Sequence, residues 1–476
     1  MCCILGDKGG KGSWQRIFRV FLVSLFIGVL GCSPNKEKER VAEKSPVPNI
    51  IFLLTDDQRW DALGAMGNTL IHTPNLDSLA KEGVHFTNAY VTTSICAVSR
   101  ASMLTGQYAS RHGILDFKTG LKDRALDNTY PMLLKKQGYR IGFIGKYGVG
   151  SADTHPKTQY DFWACTEKGQ PDYENVDVDG NYLHYTDLVA KDMRTFIEGT
   201  DDRPFCLSVS FKAPHVQDGD PRQFIPNPRY NTYYEDTTIP EPKTAAPKYW
   251  ESFPDFFRTD ANIGRERWKL RFNTPEKYQQ SVKNYYRLIT GVDHVLGRLG
   301  QQLREKGLAK NTVIVFMGDN GMFLGEHGLA GKWYPYEESI RVPLIIHDPR
   351  RDSPKGRINK IALNVDVAPT ILGLAGIEAP GSMQGMDLMN RVARDTSTRT
   401  FFFYEHSFFG SPRIPVTEAV IGSQWKYIRY PDHDYEELFH LSRDSLEENN
   451  LVGNPEYADL LQQQRRRCDS LREAIR

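Results

Sequence analysis

The chain has 476 residues and a mass of 54.3 kDa, and at about 100–200 residues per domain this length predicts two to four domains. Lysine plus arginine total 60 and aspartate plus glutamate total 59, so the net charge of +1 gives no basic excess of the kind that binds nucleic acid. With 40% hydrophobic and 25% charged residues, the composition is that of a globular protein and excludes collagen-like and wholly disordered chains.

The first 48 residues are predicted to be a signal peptide followed by a tether. Basic residues precede an apolar run at 20–30, which is shorter than the roughly 20 residues of a membrane-spanning helix. Leu30, Gly31 and Cys32 close this run in a way that resembles a bacterial lipoprotein signal. We therefore expect a signal peptide over 1–31, lipidation of Cys32 and a disordered tether over 32–48. Simple cleavage and an uncleaved anchor are the alternatives.

From residue 49 the chain alternates short apolar runs with segments of helical periodicity. This pattern predicts an α/β fold, with a large, mostly parallel sheet sandwiched by helices. The predicted elements, in chain order, are a strand over 49–54, a helix over 75–82 capped by Asn75, a strand over 84–89, a helix over 131–137, strands over 140–144 and 205–211, a helix over 277–306, strands over 312–317 and 342–346, and a helix over 367–374. Residues 218–272 lack periodicity, which indicates a long surface excursion of the kind that shapes substrate sites.

After residue 381 the pattern changes to short alternating strands over 401–404, 418–421 and 425–430, followed by a terminal helix over 459–475. We therefore predict a catalytic domain over 49–380 and a smaller C-terminal α+β domain over 381–476 with a short antiparallel sheet. The four cysteines after residue 48 form neither a disulfide scaffold nor the paired CxxC motifs of a structural zinc site. The sequence does not decide whether Cys165 and Cys206 form a disulfide.

Polar residues directly follow four predicted strands: Asp56 and Asp57, then Lys146, then His215, then Asp319 with Asn320. Ligands bind at the carboxyl ends of strands in an open α/β sheet, so these side chains are expected to converge. Any one cluster is explained by the turn preferences of Asp, Asn and Gly. Four together favour a functional site.

Three carboxylates and one amide oxygen, from Asp56, Asp57, Asp319 and Asn320, are a hard oxygen set that suits Ca²⁺, or Mg²⁺, better than zinc. Such a cation would polarise an anionic substrate and help to activate a nucleophile. The positive charges of Arg100, Lys146 and Lys332, together with His215, would neutralise a tetrahedral oxyanion at the same edge. A solvated loop lysine is the alternative for Lys332.

The segment from Cys96 to Arg100, with Val98 and Ser99 between them, is followed by Thr105 and Gly106. It resembles the signature of the type I sulfatases, which belong to the alkaline phosphatase superfamily: Cys or Ser, any residue, Pro, Ser, Arg, then a threonine-glycine turn. In that family the cysteine is oxidised to formylglycine during export. Further segments are similar in the same order, at residues 49–57, 73–83, 96–113, 145–146, 318–321, 325–328, 331–346 and 437–451.

The resemblance implies a role for each matching residue. Cys96 corresponds to the nucleophile, which requires a formylglycine-generating maturation enzyme as a partner. Asp56, Asp57, Asp319, Asn320 and the modified Cys96 correspond to the ligands of a divalent cation, usually calcium, while Arg100 orients the formylglycine, and Lys146, His215 and Lys332 hold sulfate and assist the leaving group. One oxygen of the hydrated aldehyde would attack sulfur, and the second hydroxyl would then let the intermediate collapse and expel sulfate.

Two positions depart from the family pattern. Val98 stands where the signature has the Pro that the common aerobic maturation enzyme reads. Gly148 stands where the family has a His that hydrogen-bonds the formylglycine hydrate, and His155 or a water is the candidate replacement. His112 and His327 lie in family motifs, where they either line the substrate pocket or make structural hydrogen bonds.

The leading interpretation is a sulfatase that removes sulfate from a sulfated carbohydrate and is located outside the cytoplasm, as a periplasmic or outer-surface bacterial lipoprotein held to the membrane only by its lipid. The carbohydrate part rests on this location and on the Tyr- and Trp-bearing excursion, which suits stacking on sugars. The alternatives are a phosphate or phosphonate ester hydrolase of the same superfamily and a glycan-binding lipoprotein without catalysis.

Overall fold

Two hydrophobic clusters pack against the opposite faces of one central sheet. The computed structural model describes residues 47–199, 201–350, 355–394, 399–407 and 413–476. The expected signal peptide, Cys32 and most of the tether lie outside the described residues. Within the described part of the chain, no helix has the length and apolar character needed to cross a membrane.

The strands of the described residues are, in chain order, β1 (Asn49–Asp56), β2 (Val84–Tyr90), β3 (Arg140–Gly145), β4 (Phe162–Cys165), β5 (Glu174–Val176), β6 (Tyr182–His184), β7 (Phe205–Pro214), β8 (Thr312–Gly318), β9 (Phe323–Leu324), β10 (Ala330–Gly331), β11 (Leu344–His347), β12 (Gly356–Leu363), β13 (Phe401–His406), β14 (Thr417–Gly422), β15 (Trp425–Tyr430) and β16 (Tyr435–His440).

The α-helices of the described residues are α1 (Pro74–Glu82), α2 (Cys96–Thr105), α3 (Ala109–His112), α4 (Asp123–Asp127), α5 (Tyr130–Lys136), α6 (Tyr185–Glu198), α7 (Pro247–Glu251), α8 (Ile263–Arg271), α9 (Pro275–Glu305), α10 (Glu337–Ile340), α11 (Val367–Leu374), α12 (Leu388–Ala393) and α13 (Ala458–Ile475). The longest, α9, begins where the Thr274 side chain accepts a hydrogen bond from the Lys277 N–H, which satisfies one of the unpaired amides at a helix start.

The central sheet has the strand order β12-β2-β11-β8-β1-β7-β3-β4. All neighbouring pairs are parallel except those of β11, which runs antiparallel to both β2 and β8. The α/β class with a large, mostly parallel mixed sheet is confirmed. Because β1, β7 and β8 are adjacent and parallel, the segments that follow these three strands emerge at the same edge of the sheet.

Strand β1 is buried on both faces, which explains its continuous apolar sequence. Ile50, Phe52 and Leu54 belong to one hydrophobic cluster, and Ile51 and Leu53 to the cluster on the opposite face. This alternation is the two-residue period of a strand applied to a sheet that helices cover on both sides.

The C-terminal part forms a second, antiparallel sheet in the order β13-β14-β15-β16, and side chains of α13 join the same hydrophobic cluster as its buried face. The expected small antiparallel sheet is therefore confirmed. Residues Pro46–Arg476 form one compact unit by their contacts, and the division at residue 380 stays a prediction.

Some local expectations differ from the structure. Helix α1 begins one residue earlier than expected, after Thr73 as N-cap, while the Asn75 side chain donates to Asp293 Oδ2 at 2.8 Å. The periodicity analysis did not identify α2, α6, β12 or β16. The thiols of Cys165 and Cys206 are free, so the possible bridge is not formed.

The C-terminal sheet is joined to α10 by a buried charge cluster. Lys426 on β15 lies 3.0 Å from Glu337 Oε1 and 2.7 Å from Glu447 Oε1, and its side chain is fully buried. Burial lowers the pKa of Lys426, but the two carboxylates outweigh burial and raise it. The ammonium group therefore stays charged between its two partners.

We expect Lys426→Met to destabilise the protein by about 3–5 kcal/mol at pH 8, because it leaves buried carboxylates without their cation. The midpoint of urea-induced unfolding measures this loss. Lys269→Met is the matched control, since Lys269 is partly exposed in its ion pair with Asp260, and we expect a change within about 0.5 kcal/mol. Equal midpoints for the two variants would contradict the assigned role of Lys426.

Candidate active site

Cys96 is the first residue of α2, a helix whose ten residues are all buried. Its Sγ accepts a hydrogen bond from Lys332 Nζ at 2.8 Å and donates one to Asp56 Oδ1 at 3.3 Å. The N-terminal end of a helix carries a partial positive charge. Position 96 therefore suits a group that becomes negative when it reacts.

The carboxylates lie at the ends of β1 and β8. Asp57 has a φ of +65°, and this turn out of the strand lets its N–H donate to Asp319 Oδ1 at 3.0 Å. Asn320 Nδ2 donates to Asp57 Oδ1 at 2.5 Å. The adjacency of β1 and β8 in the sheet thus brings together residues more than 260 positions apart in sequence.

Three buried cations neutralise these carboxylates. Arg100 Nε lies 2.9 Å from Asp319 Oδ2, and Arg100 Nη2 lies 3.7 Å from Asp56 Oδ2. Lys146 Nζ lies 2.5 Å from Asp56 Oδ2, and Lys332 Nζ forms an ion pair with Asp57. Lys332 is therefore buried in the site and is not a solvated loop lysine.

The backbone at Lys146 fixes the position of its side chain. Gly145 has a φ of +94°, and a Cβ there would lie 2.0 Å from the Ser210 carbonyl oxygen. Only glycine lets β3 end this close to β7. Arg100 Nη1 then donates to the Lys146 carbonyl at 2.5 Å and to the Ser210 hydroxyl, which ties α2 to both strands.

Burial and neighbouring positive charges have opposite effects on the pKa values of the carboxylates in this site. Burial opposes ionisation of Asp56, but Lys146, His215, Arg100 and Lys332 hold its pKa well below the usual range. Burial and the charge of Asp56 raise the pKa of Asp319 to about 7. Burial and Asp56 also raise the pKa of the Cys96 thiol to about 12, so an unmodified thiol stays protonated and is a weak nucleophile.

His215 presents one ring nitrogen to the site. Its Nδ1 lies 2.8 Å from the Val216 carbonyl oxygen, to which only a protonated nitrogen can donate. Nε2 lies 3.5 Å from Asp57 Oδ2 and 3.3 Å from Gln170 Nε2. Burial lowers the pKa of His215 despite the nearby Asp57 and Asp56.

The donor set fits a hard divalent cation. One ligand atom from each of Asp56, Asp57, Cys96 and His215 lies within 4.8 Å of the others. Asn320 Oδ1 is buried and has no hydrogen-bond partner, as a metal-binding amide oxygen would require. Asp319 is not in that compact group, and its oxygens accept hydrogen bonds from the Asp57 N–H and Arg100.

A cavity of about 400 Å³ opens beside these residues, a volume within the range of small-molecule sites. Its lining includes the catalytic candidates Cys96, Lys146, His215 and Lys332. Side chains from α8 and from several loops complete the wall: Phe117, Gln170, Asp218, Ile263, Arg267, Trp333, Arg413 and Ile414. The excursion over 218–272 contributes Asp218, Ile263 and Arg267, and it also contains α7 and α8.

The other histidines occupy different surroundings. His155 packs its ring 5.1 Å from Tyr147 and 5.9 Å from Trp163, measured between centroids. His112 Nε2 lies 3.1 Å from Ser102 Oγ, and burial lowers its pKa to about 3. His327 is buried with its ring 5.0 Å from Tyr336. None of the three is among the described residues that line the catalytic cavity.

The two departures from the family signature lie close to the candidate catalytic residues. Gly148 lines the cavity, and a Cβ there would lie 2.9 Å from Arg100 Cδ with a backbone φ of +73°. Val98 is buried in the first turn of α2.

The sequence analysis did not identify Ser210 or Gln170 as site residues. For Ser210 the only signal was a polar residue inside an apolar strand. Gln170 lies in a loop whose sequence gave no signal.

The sequence profile described as Sulfatase matches residues 48–377. The chain belongs to the sulfatase family. It is a sulfuric ester hydrolase. A second profile, described as N-sulphoglucosamine sulphohydrolase, C-terminal, matches residues 325–474 of this sulfatase.

Two named relatives of the sulfatase align over most of its length. It is 29% identical to an N-acetylglucosamine-6-O-sulfatase of Bacteroides thetaiotaomicron, over 87% of this chain and 84% of the relative. It is 30% identical to an arylsulfatase of Clostridium perfringens, over 90% of this chain and 93% of the relative. A solved structure in complex with its substrate D-glucosamine-2-N,6-O-disulfate matches with a TM-score of 0.76 and 27% identity, over 90% of this chain and 98% of that one.

We expect Ca²⁺ to raise the melting temperature of the sulfatase after dialysis against EDTA, because a ligand that binds only the folded state stabilises it by about 2.7 kcal/mol at 100 times its Kd. Thermal unfolding with and without CaCl₂ measures the shift. Asp57→Ala should abolish the shift, whereas Asp153→Asn, which changes an acidic residue in the short helical turn over Ala152–Thr154, should retain it. The absence of any response to Ca²⁺ or Mg²⁺ would contradict the assigned cation site.

Proposed function

We propose that this sulfatase hydrolyses sulfate esters of a sulfated carbohydrate, with Cys96 converted to formylglycine as its nucleophile. The observation that carries the proposal is the position of residue 96 at the start of α2, within a cavity that Lys146, His215 and Lys332 also line. The relatives named for a sulfated sugar support the carbohydrate substrate.

The lysines and the arginine supply the positive charge that a sulfate group requires. Lys332 contacts Cys96 Sγ and Lys146 contacts Asp56 beside it, so both ammonium groups lie next to the atom that approaches sulfur. Arg100 is engaged by Asp319 and the Lys146 carbonyl, which makes it a rigid support for residue 96. A fixed array of charge of this kind stabilises a transition state without reorganisation.

His215 is positioned to donate a proton to the leaving group. Its Nδ1–H is committed to the Val216 carbonyl, so Nε2 is the nitrogen available at the cavity. Because Nδ1 carries a proton, donation from Nε2 to the alcohol oxygen that leaves sulfur requires the imidazolium form, which burial disfavours and the charges of Asp57 and Asp56 favour. Lys332, whose pKa is raised because Asp57 and Cys96 outweigh burial, keeps its charge and stabilises the developing anion.

Asp56, Asp57, Asp319 and Asn320 are the residues that would hold a divalent cation, and their oxygen donors suit Ca²⁺ or Mg²⁺. The family resemblance favours Ca²⁺. When bound, the cation supplies Lewis-acid polarisation of the sulfate and of the residue 96 oxygen. The formylglycine supplies a hydrated aldehyde, with one hydroxyl to attack and one to release sulfate. We further propose a formylglycine-generating maturation enzyme as a partner, despite Val98.

We also propose a location outside the cytoplasm, as a periplasmic or outer-surface lipoprotein attached through Cys32. Support comes from the sequence of residues 1–31, whose basic start, short apolar run and Cys32 fit an export signal. A tether over 32–48 would place the catalytic domain, proposed over 49–380, at a distance from the membrane.

We expect wild-type protein isolated from its native host to release inorganic sulfate from at least one member of a panel of sulfated glycans. Cys96→Ala should lower release by at least about 1,000-fold, because it removes the nucleophile. Cys165→Ala is the matched control and should retain activity, since Cys165 lies on edge strand β4 outside the lining of the cavity. Ion chromatography of sulfate measures the release.

A comparison of kcat/KM for a matched aryl sulfate and aryl phosphate distinguishes a sulfatase from a phosphate ester hydrolase of the same superfamily. Sulfatase chemistry predicts a higher kcat/KM for the sulfate. A higher value for the phosphate would replace the proposal with phosphate ester hydrolysis. Tight binding of a sulfated glycan with no sulfate release, by protein that carries formylglycine, would replace it with the binding-protein function.

A further inference from the structure

Arg267 lies in the wall of the catalytic cavity and takes no part in the chemistry proposed above. It is on α8 and lines the same cavity as Cys96 and Lys332. Its guanidinium lies 5.0 Å from the centroid of the Trp333 ring, which is the residue after Lys332. The side chain is 24% exposed, so it is largely fixed in place and still open to the cavity.

The other two arginines on α8 that lie inward already have hydrogen-bond partners. Arg265 Nη1 donates to the Gly328 carbonyl at 3.0 Å, and Arg271 Nε donates to Gln223 Oε1 at 2.8 Å. Arg267 makes no side-chain hydrogen bond to any of the described residues, and its nearest carboxylate oxygen, Asp218 Oδ1, is 3.8 Å away. Its planar set of donors therefore remains available for a ligand.

The charges around Arg267 leave an excess of positive charge. Arg413, also in the cavity wall, is paired with Glu266 at 2.5 Å. Arg271 is buried with Nη1 lacking a hydrogen-bond partner, and burial together with Arg267 lowers its pKa to about 9. Asp218 is the carboxylate that acts on both Arg267 and Arg271. Asp57 also acts on Arg271, but it is already paired with Lys332.

We propose that Arg267 is a specificity-determining residue that binds a second anionic group, a sulfate or a carboxylate, on the same sugar substrate whose sulfate ester is cleaved at residue 96. This inference rests on the proposed function. An arginine that is fixed over an aromatic ring and lacks a hydrogen-bonded counter-ion is suited to bidentate recognition of oxyanions. A neutral hydroxyl would leave the excess charge of Arg267 and Arg271 uncompensated.

Asp218 gives this subsite a means of discrimination. Burial raises the pKa of Asp218, but His215, Arg267 and Arg271 outweigh burial and lower it, so the carboxylate is ionised. When the substrate has one anionic group, Arg267 receives no charge from it and keeps only its ion pair with Asp218 at 3.8 Å. When the substrate has two anionic groups, the second group accepts direct hydrogen bonds from the Arg267 guanidinium and replaces that ion pair.

The test compares kcat/KM for a monosulfated hexosamine with two derivatives that carry the same scissile sulfate. One derivative has a second sulfate, and the other is linked to a uronic acid. For Arg267→Ala, the ratio of kcat/KM for the doubly charged substrate to that for the monosulfated one should fall at least tenfold relative to wild type, chiefly through KM. The derivative that shows this fall identifies the second group as sulfate or carboxylate.

Two further variants distinguish recognition from a structural effect. Arg267→Lys should recover part of the lost ratio, because it restores charge without the planar donor geometry. Lys269→Ala removes a charge from the same helix, at a side chain paired with Asp260, and should leave kcat/KM for all three substrates unchanged. An Arg267→Ala variant that lowers kcat/KM equally for all three substrates would overturn the inference and leave the proposed function intact.

A binding measurement keeps the inference testable if wild-type protein releases no sulfate, the result that would overturn the proposed function. Isothermal titration of Cys96→Ala and Cys96→Ala/Arg267→Ala proteins with the same three sugars, as intact ligands, compares their Kd values. We expect the second substitution to weaken binding of a doubly charged sugar at least tenfold more than binding of the monosulfated one. Equal weakening would overturn the role of Arg267.

Discussion

The active site depends on the balance of buried charge where β1 and β8 end. Asp56, Asp57 and Asp319 are essentially inaccessible to solvent, and bare carboxylates in such a place would cost several kcal/mol each. Arg100, Lys146 and Lys332 offset that cost by direct ion pairs. These ion pairs therefore allow all six groups to be buried, and the same groups form the part of the proposed site that would meet an anionic substrate.

The fold brings these charged side chains together from several separate segments of the chain. The order β8-β1-β7-β3 brings four loops to one edge, and Arg100 on α2 connects them by hydrogen bonds to Lys146 and Ser210. The C-terminal sheet supports the arrangement, since Tyr404 OH donates to the Trp333 carbonyl at 2.6 Å. Each proposed catalytic residue is held by contacts from segments that are far apart in sequence.

The fold class and the residues at the strand ends could be predicted because continuous apolar strands and the polar residues after them leave a clear local pattern. Helix α2 has no such pattern, since all ten of its residues are buried and periodicity requires an exposed face. Loops carry no periodicity either, so Gln170 and Trp333 could not be assigned to the cavity before the structure was available. Arg267 was missed because α8 lies in the segment 218–272, whose sequence shows no clear periodicity. Strand order, which decides these contacts, is set by long-range packing.

Mass spectrometry of the tryptic peptide spanning residues 82–100, from protein isolated from its native host, tests most directly whether residue 96 is the nucleophile. The charge-balanced site around Cys96 and the family membership predict an aldehyde at this position, although Val98 replaces the proline of the signature. An unmodified thiol in every copy of the peptide would contradict the mechanism, because a buried thiol beside Asp56 stays protonated.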